Sequence, residues 1–221
     1  MTEKQETNLK NQKKEILFYY ESRQNPNGDP GFENQPRLMP DGTIIVTDVR
    51  VKRTIRDFAK GKYGDTLFVD LGENGKPVMA DNRAEEIIGS LREDTIKSLI
   101  VKTFDVPLFG ALVTIRKGKD KKGKDKDSGS QKLTGPVQFA IGRSVNQVQI
   151  LNPQITSRFV GKEKKNEFIS DDQQPDQHGT IGKFYAVDYA LIKIQGAVNP
   201  ANLGQYIEDP DVVQSFKVAE S

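Results

Sequence analysis

The order of patterns along the chain predicts an α+β fold, an antiparallel sheet with helices on one face. Three observations carry the prediction. Ile16-Leu17-Phe18-Tyr19-Tyr20 is a continuous apolar and aromatic run of strand length. Thr47 to Ala59 opens with capping residues and then repeats apolar side chains at helical spacing. Lys183 to Gln195 lengthens into an alternating strand, with Phe184, Val187, Ala190, Ile192 and Ile194.

Taken in order, residues 1–14 are polar and charged and read as a frayed leader before the first strand. That strand ends at Asn25-Pro26-Asn27-Gly28-Asp29-Pro30, where Asx side chains can bond nearby N–H groups and Gly28 can take a positive φ. Three prolines, Pro30, Pro36 and Pro40, keep the next stretch irregular. Thr47 or Asp48 then caps a helix. Val51, Ile55, Phe58 and Ala59 form its apolar stripe, and Lys52, Arg53, Arg56 and Lys60 an opposite, acid-free arc. Spacing alone leaves two readings of that arc open: a solvated surface, or a seat for a phosphate backbone.

Beyond the helix, Thr66–Asp70 and Lys76–Met79 flank Glu73-Asn74-Gly75 as a hairpin. Asp81 is placed to cap a helix burying Ile87, Ile88 and Leu91, a segment through Ile96, Leu99 and Ile100 follows, and Pro107 stops helical structure. Ala111–Ile115 reads as a strand. The run from Arg116 to Lys132 has no apolar residue and is expected as a flexible cationic loop, either a solubilising decoration or an arm that touches phosphates. Strands are expected at Val137–Ile141 and Val148–Ile150, separated by Gly142-Arg143-Ser144 and Asn146. Residues 160–180 form a polar insertion tipped by Phe168 and Ile169, and a short amphipathic helix starts near Asp211.

Bulk properties narrow the function classes. A chain of 221 residues can bury one good core and is expected to be a single domain with excursions. Net charge is only +2, so a case for nucleic acid must rest on how charge is distributed. Cysteine is absent and His178 is the lone histidine, which excludes disulfides, thiolate metal sites and multi-histidine metal sites. No apolar run is long enough to span a bilayer. A cytoplasmic protein with no cofactor and no resident metal is expected.

The ordered words "EILFYYES", "NPNGDP", "QPR" and "VTDVRVKRTIRDF" resemble the backbone subunit of type I CRISPR effector complexes (Cascade), the seventh numbered CRISPR-associated family, in its DevR-like type I-B and I-C branch of the RAMP superfamily. Leu108-Phe109-Gly110-Ala111, Leu133 to Phe139, Gly142 to Asn146, Ile155-Thr156-Ser157 and Gly182 to Leu191 fit the same family, so the likeness runs over residues 15–200.

The resemblance implies a modified RRM or ferredoxin-like palm, finger insertions, and a hairpin thumb at residues 160–180. It implies a non-catalytic subunit that polymerises along CRISPR RNA with other copies of itself and other Cascade subunits. The guide is then presented for Watson–Crick pairing with target DNA. Carried onto this sequence, Asn25, Asn27 and Asp29 shape an RNA-contacting loop, Lys52, Arg53 and Arg56 supply palm cations, and Arg143 and Ser144 contact phosphate or sugar. Lys183 lies at the thumb's return, and Phe168 serves intersubunit packing or base stacking. Reversing the charge at Arg53 and Arg56 is expected to abolish RNA retention with the fold intact. Read without the family, Asn25 and Asn27 are equally plain turn formers and Arg143 a surface ion pair.

Two alternatives belong to other classes. One is a metal-dependent ribonuclease like the type III backbone subunits, with Asp29 or Asp48 as the metal ligand; the other is a stand-alone RRM-like RNA-binding regulator. Typical family members continue for tens of residues past the equivalent of Ser221, and the Lys-rich 116–132 run is not a family word.

Overall fold

A computed structural model describes residues 9, 12–64, 66–72, 75–91, 94–119, 125–156 and 181–221. Residues 160–180, expected as a thumb, lie outside them, Phe168 included. The described chain is a mixture of helices and antiparallel strands in two compact units. The first unit comprises residues 1–18, 47–141 and 194–221, and the second residues 19–46 and 142–193.

Helix α1 (Asp48–Tyr63) dominates the first unit. Thr47, extended at φ −70° and ψ 151°, accepts a bond from the Arg50 N–H at 3.3 Å, and Gly64 ends the helix in the left-handed region at φ 71°. Val51 and Ala59 are buried as the stripe requires, but Phe58 is 58% exposed and falls off that face. Helices α2 (Ala80–Ile88), α3 (Thr95–Lys102), α4 (Val106–Phe109) and α5 (Pro210–Glu220) complete the helical layer.

Strand β1 (Lys14–Ser22) begins in this unit, and later come a long hairpin of β5 (Gly110–Lys119) and β6 (Asp125–Thr134), then β7 (Val137–Phe139). The core joins Ile96, Leu99, Ile100, Val106, Val113, Leu203, Val212 and Phe216. Leu9, inside the segment expected as a leader, is buried in the same cluster. Burying such side chains contributes about 1.5–3 kcal/mol each before entropy is charged against it.

Several local expectations fail here. Pro107 does not stop a helix; it sits in the first turn of α4, where its missing N–H is no loss. Helix α2 starts after Met79 with no side-chain cap, and Asp81 bonds the adjacent Asn82 N–H instead. Among the described residues the expected hairpin at 66–79 shows one bridge, Leu71 with Pro77, with a Gly72 N–H bond to the Lys76 carbonyl. The run 116–132 is not a loop in its described part. Register pairs from Gly110↔Thr134 to Lys119↔Asp125 carry β5–β6 through it with two irregularities, because a ladder is built from backbone groups and needs no apolar side chain.

The hairpin's base is a backbone-on-backbone contact. Gly110 has φ 81°, and a Cβ there would lie 2.1 Å from the Leu133 carbonyl oxygen. A Cβ on Gly135 would lie 2.2 Å from the Phe109 carbonyl carbon, so both positions need glycine.

In the second unit β1 neighbours β13 (Ala190–Val198), which is followed by β8 (Gly142–Ser144) and β4 (Ile45–Val46). Gly142-Arg143-Ser144, expected to separate strands, is itself a strand between two partners: Ile192↔Ser144 and Lys193↔Arg143 on one side, Ile45↔Arg143 and Val46↔Gly142 on the other. Buried Ile192, Ser144 and Val46 share one face, and Lys193, Arg143 and Ile45 the opposite one. Short pairs β2 (Gly28–Asp29) with β3 (Gln35–Pro36), β9 (Ile150–Leu151) with β12 (Ala186–Val187), and β10 (Gln154–Thr156) with β11 (Ile181–Lys183) surround this sheet. In the first unit the far half of β13 pairs with β7, Gly196↔Phe139 to Val198↔Val137.

Candidate functional site

On α1 the arc is not acid-free. Lys52 pairs with Asp48 at 3.2 Å, Arg53 with Asp57 at 2.8 Å, Lys60 with Asp70, and Arg56 with Asp105 at 2.7 Å. One-dimensional spacing hid Asp70 and Asp105, which come from elsewhere in the chain, whereas Asp48 and Asp57 stand four residues from their cations on the same helix. Arg56 is the clearest correction: only 7% exposed, it faces the protein interior. Its Nε donates to Asp105, which also accepts the Phe68 and Val69 N–H groups at 2.8 and 3.0 Å. Its guanidinium lies 5.0 Å from the centre of the Phe109 ring. Arg56 is thus a buried tie, and Arg53 and Lys60 are the arc cations left at the surface.

The Asx loop is similarly occupied with itself. Asn25 donates from Nδ2 to the Asn34 carbonyl, and Asn27 is buried. The Asp29 carboxylate accepts the Gly31 N–H at 3.0 Å and pairs with Arg37 at 3.0 Å. Gly28 is required for room rather than for a positive φ, since a Cβ would meet the Asn34 carbonyl oxygen at 2.8 Å; the left-handed residues are Glu33 and Asn34.

Ser144 is buried, accepting the Ile44 N–H at 3.0 Å and donating to the Asn146 carbonyl at 2.7 Å, so its hydroxyl locks β4 to β8. Arg143, beside it, is half exposed. Its Nε donates to the Thr43 hydroxyl at 2.8 Å and its Nη2 meets Asp41. The Thr43 hydroxyl and N–H, aided by Arg143, hold the Asp41 carboxyl below the usual carboxylate range. Lys183 ends β11 opposite Gln154.

Within the second unit the structure therefore places Arg143 on the open face of the sheet, directly across from Lys193, a residue the sequence reading did not single out. The signal was available: a lysine set between Ile192 and Ile194 in an alternating strand must point away from the face those isoleucines bury. In the first unit Lys52, Arg53 and Arg56 share α1 but divide between surface and interior. Among the described residues no group of three or more Asp, Glu or His is arranged to hold a metal ion. No described helix is long and apolar enough to cross a membrane.

The described residues form an α+β protein that carries cations at the surface of a helix and on one face of a sheet. A family model, "CRISPR-associated protein Cas7", matches residues 11–218, and the chain belongs to that family. The CRISPR-associated protein Cas7 of Haloferax volcanii is 31% identical over 150 residues, a match covering 61% of this chain and 44% of that protein. The match thus spans less than half the length of this curated relative.

Among solved structures, a chain of a "CRISPR RNA-guided surveillance complex, pre-nicking" covers 93% of this chain and 71% of its own, at 12% identity and a TM-score of 0.40. A chain of "Type III-B Cmr-beta bound to cognate target RNA" covers 89% and 51%, at 14% identity and a TM-score of 0.35. Both likenesses are loose.

Proposed function

We propose that this chain is a non-catalytic backbone subunit of a type I CRISPR interference complex, working in the cytoplasm. Copies polymerise along a CRISPR RNA, grip its sugar–phosphate chain, and leave the bases free to pair with target DNA. The family match over residues 11–218 carries the reading. The open sheet face with Arg143 and Lys193, and the surface cations Arg53 and Lys60, supply groups suited to phosphate. On this reading the sheet is the palm, residues 160–180 the thumb that meets a neighbouring copy, and other subunits cap the assembly.

Co-expression of the chain with a CRISPR array tests the proposal. Purification should return RNA protected at a fixed length, in particles whose size grows with the length of the guide. Recovery of a monomer free of RNA would refute it, and so would metal-dependent cleavage of RNA with turnover.

A further inference from the structure

The sheet row Lys193, Arg143, Ile45 carries two cations on directly paired residues of adjacent strands. Paired positions hold their Cβ atoms about 5 Å apart, and like charges there oppose folding. Lysine is also disfavoured in strands, and this one sits in β13 between two fully buried isoleucines. Stability does not explain the choice. Asp41 offsets the Arg143 charge, and that contact with Thr43 fixes the guanidinium in place. Among the described residues Lys193 is in no ion pair, so it brings the net positive charge of the row. Strand β1 is the neighbour of β13 in the same sheet, and its Tyr19 is 50% exposed.

We infer that Lys193 and Arg143 form one seat for an RNA phosphate on the open face of the second unit. An anion placed between them turns a like-charge pair into a bridged one, with Arg143 as the oriented donor and Lys193 as the adaptable charge. The inference rests on the RNA-binding reading above and names a residue for it.

The experiment uses the full chain and a fluorescein-labelled single-stranded RNA of mixed sequence, with anisotropy titrations from 50 to 200 mM KCl. Lys193→Met should bind more weakly, with a salt slope shallower by about 0.7, the value of one phosphate contact on a single strand. The affinity gap to the parent should then narrow by about two- to threefold across that salt range. Lys193→Arg should restore binding, and the thermal midpoint of Lys193→Met should equal or exceed the parent's, because a like-charge repulsion is gone.

A Lys193→Met protein with parental affinity and slope overturns the seat, as does failure of Lys193→Arg to rescue. If the parent itself shows no salt-dependent RNA binding, the RNA-binding reading falls and the seat falls with it. The parent titration therefore separates the two failures.

Discussion

The Arg56–Asp105 pair makes the sharpest test of the fold, and it changes how the surface should be probed. Asp105 is 1% exposed and gathers one guanidinium nitrogen and two backbone N–H groups, so α1, α4 and residues 68–69 meet at one carboxylate. Arg56→Ala would strand that carboxylate with only the two neutral donors and remove the guanidinium from Phe109. Losing a charge-assisted bond costs about 1.5–3 kcal/mol, a desolvated cation–π contact adds about 2 kcal/mol, and breaking buried pairs costs about 3–5 kcal/mol in general.

A loss of about 4 kcal/mol is therefore expected, a large share of the 5–15 kcal/mol typical of a folded domain. Urea unfolding followed by circular dichroism measures it. The double variant Arg56→Met with Asp105→Asn should lose clearly less than the sum of the singles, since no unpaired charge remains. An Arg56→Ala protein as stable as the parent would refute the buried-tie reasoning. By the same reasoning Arg56→Glu sets two buried carboxylates against each other and unfolds the first unit, so the paired reversal of Arg53 and Arg56 cannot leave the fold intact.

Other outcomes follow from the same geometry. Arg53→Glu alone should keep the parental melting profile and weaken RNA binding in the anisotropy assay; unchanged binding removes Arg53 from the interface. Gly110→Ala combines a positive φ with a clash against the Leu133 carbonyl, and should cost more than 3 kcal/mol in the urea assay or prevent soluble expression. The mutual hydrogen bond of Lys97 and Asp209 lowers the aspartate from its usual 3.8 and raises the lysine from 10.5. The Asp209 contribution is therefore present above pH 3.8 and lost as pH falls through its folded value, and that of Lys97 is present below pH 10.5 and lost as pH rises through its own. Asp209→Asn retains a side-chain cap for α5 and should lower the plateau of thermal stability between the two ends while flattening its fall at both, so that parent and variant converge at extreme pH; identical profiles would discard the link.

What the sequence made legible was local. Thr47 as a cap and Ile16–Tyr20 as a strand need only neighbours to specify them, and they stand as read; the strand expected over Lys183–Gln195 holds only from Ala190 on, the residues before it falling in two short strands. What it hid was pairing over distance. Arg56 looked like a surface cation because its carboxylate lies 49 residues away. Gly142–Ser144 looked like a linker because its ladder partners come from residues 45–46 and 192–193. The same blindness left Lys193 unnoticed, since its significance comes from Arg143 across the ladder and not from any neighbour in the chain.

The bare-backbone passage at Gly110 and Gly135 has a mechanical meaning. Strands leaving through so narrow a neck have no slack at the root, so force applied to the hairpin passes straight into α4 rather than being absorbed by a swivel. A dye on the exposed Ser130 should accordingly tumble at the rate of the whole first unit, which makes the hairpin a handle for following that unit's motion.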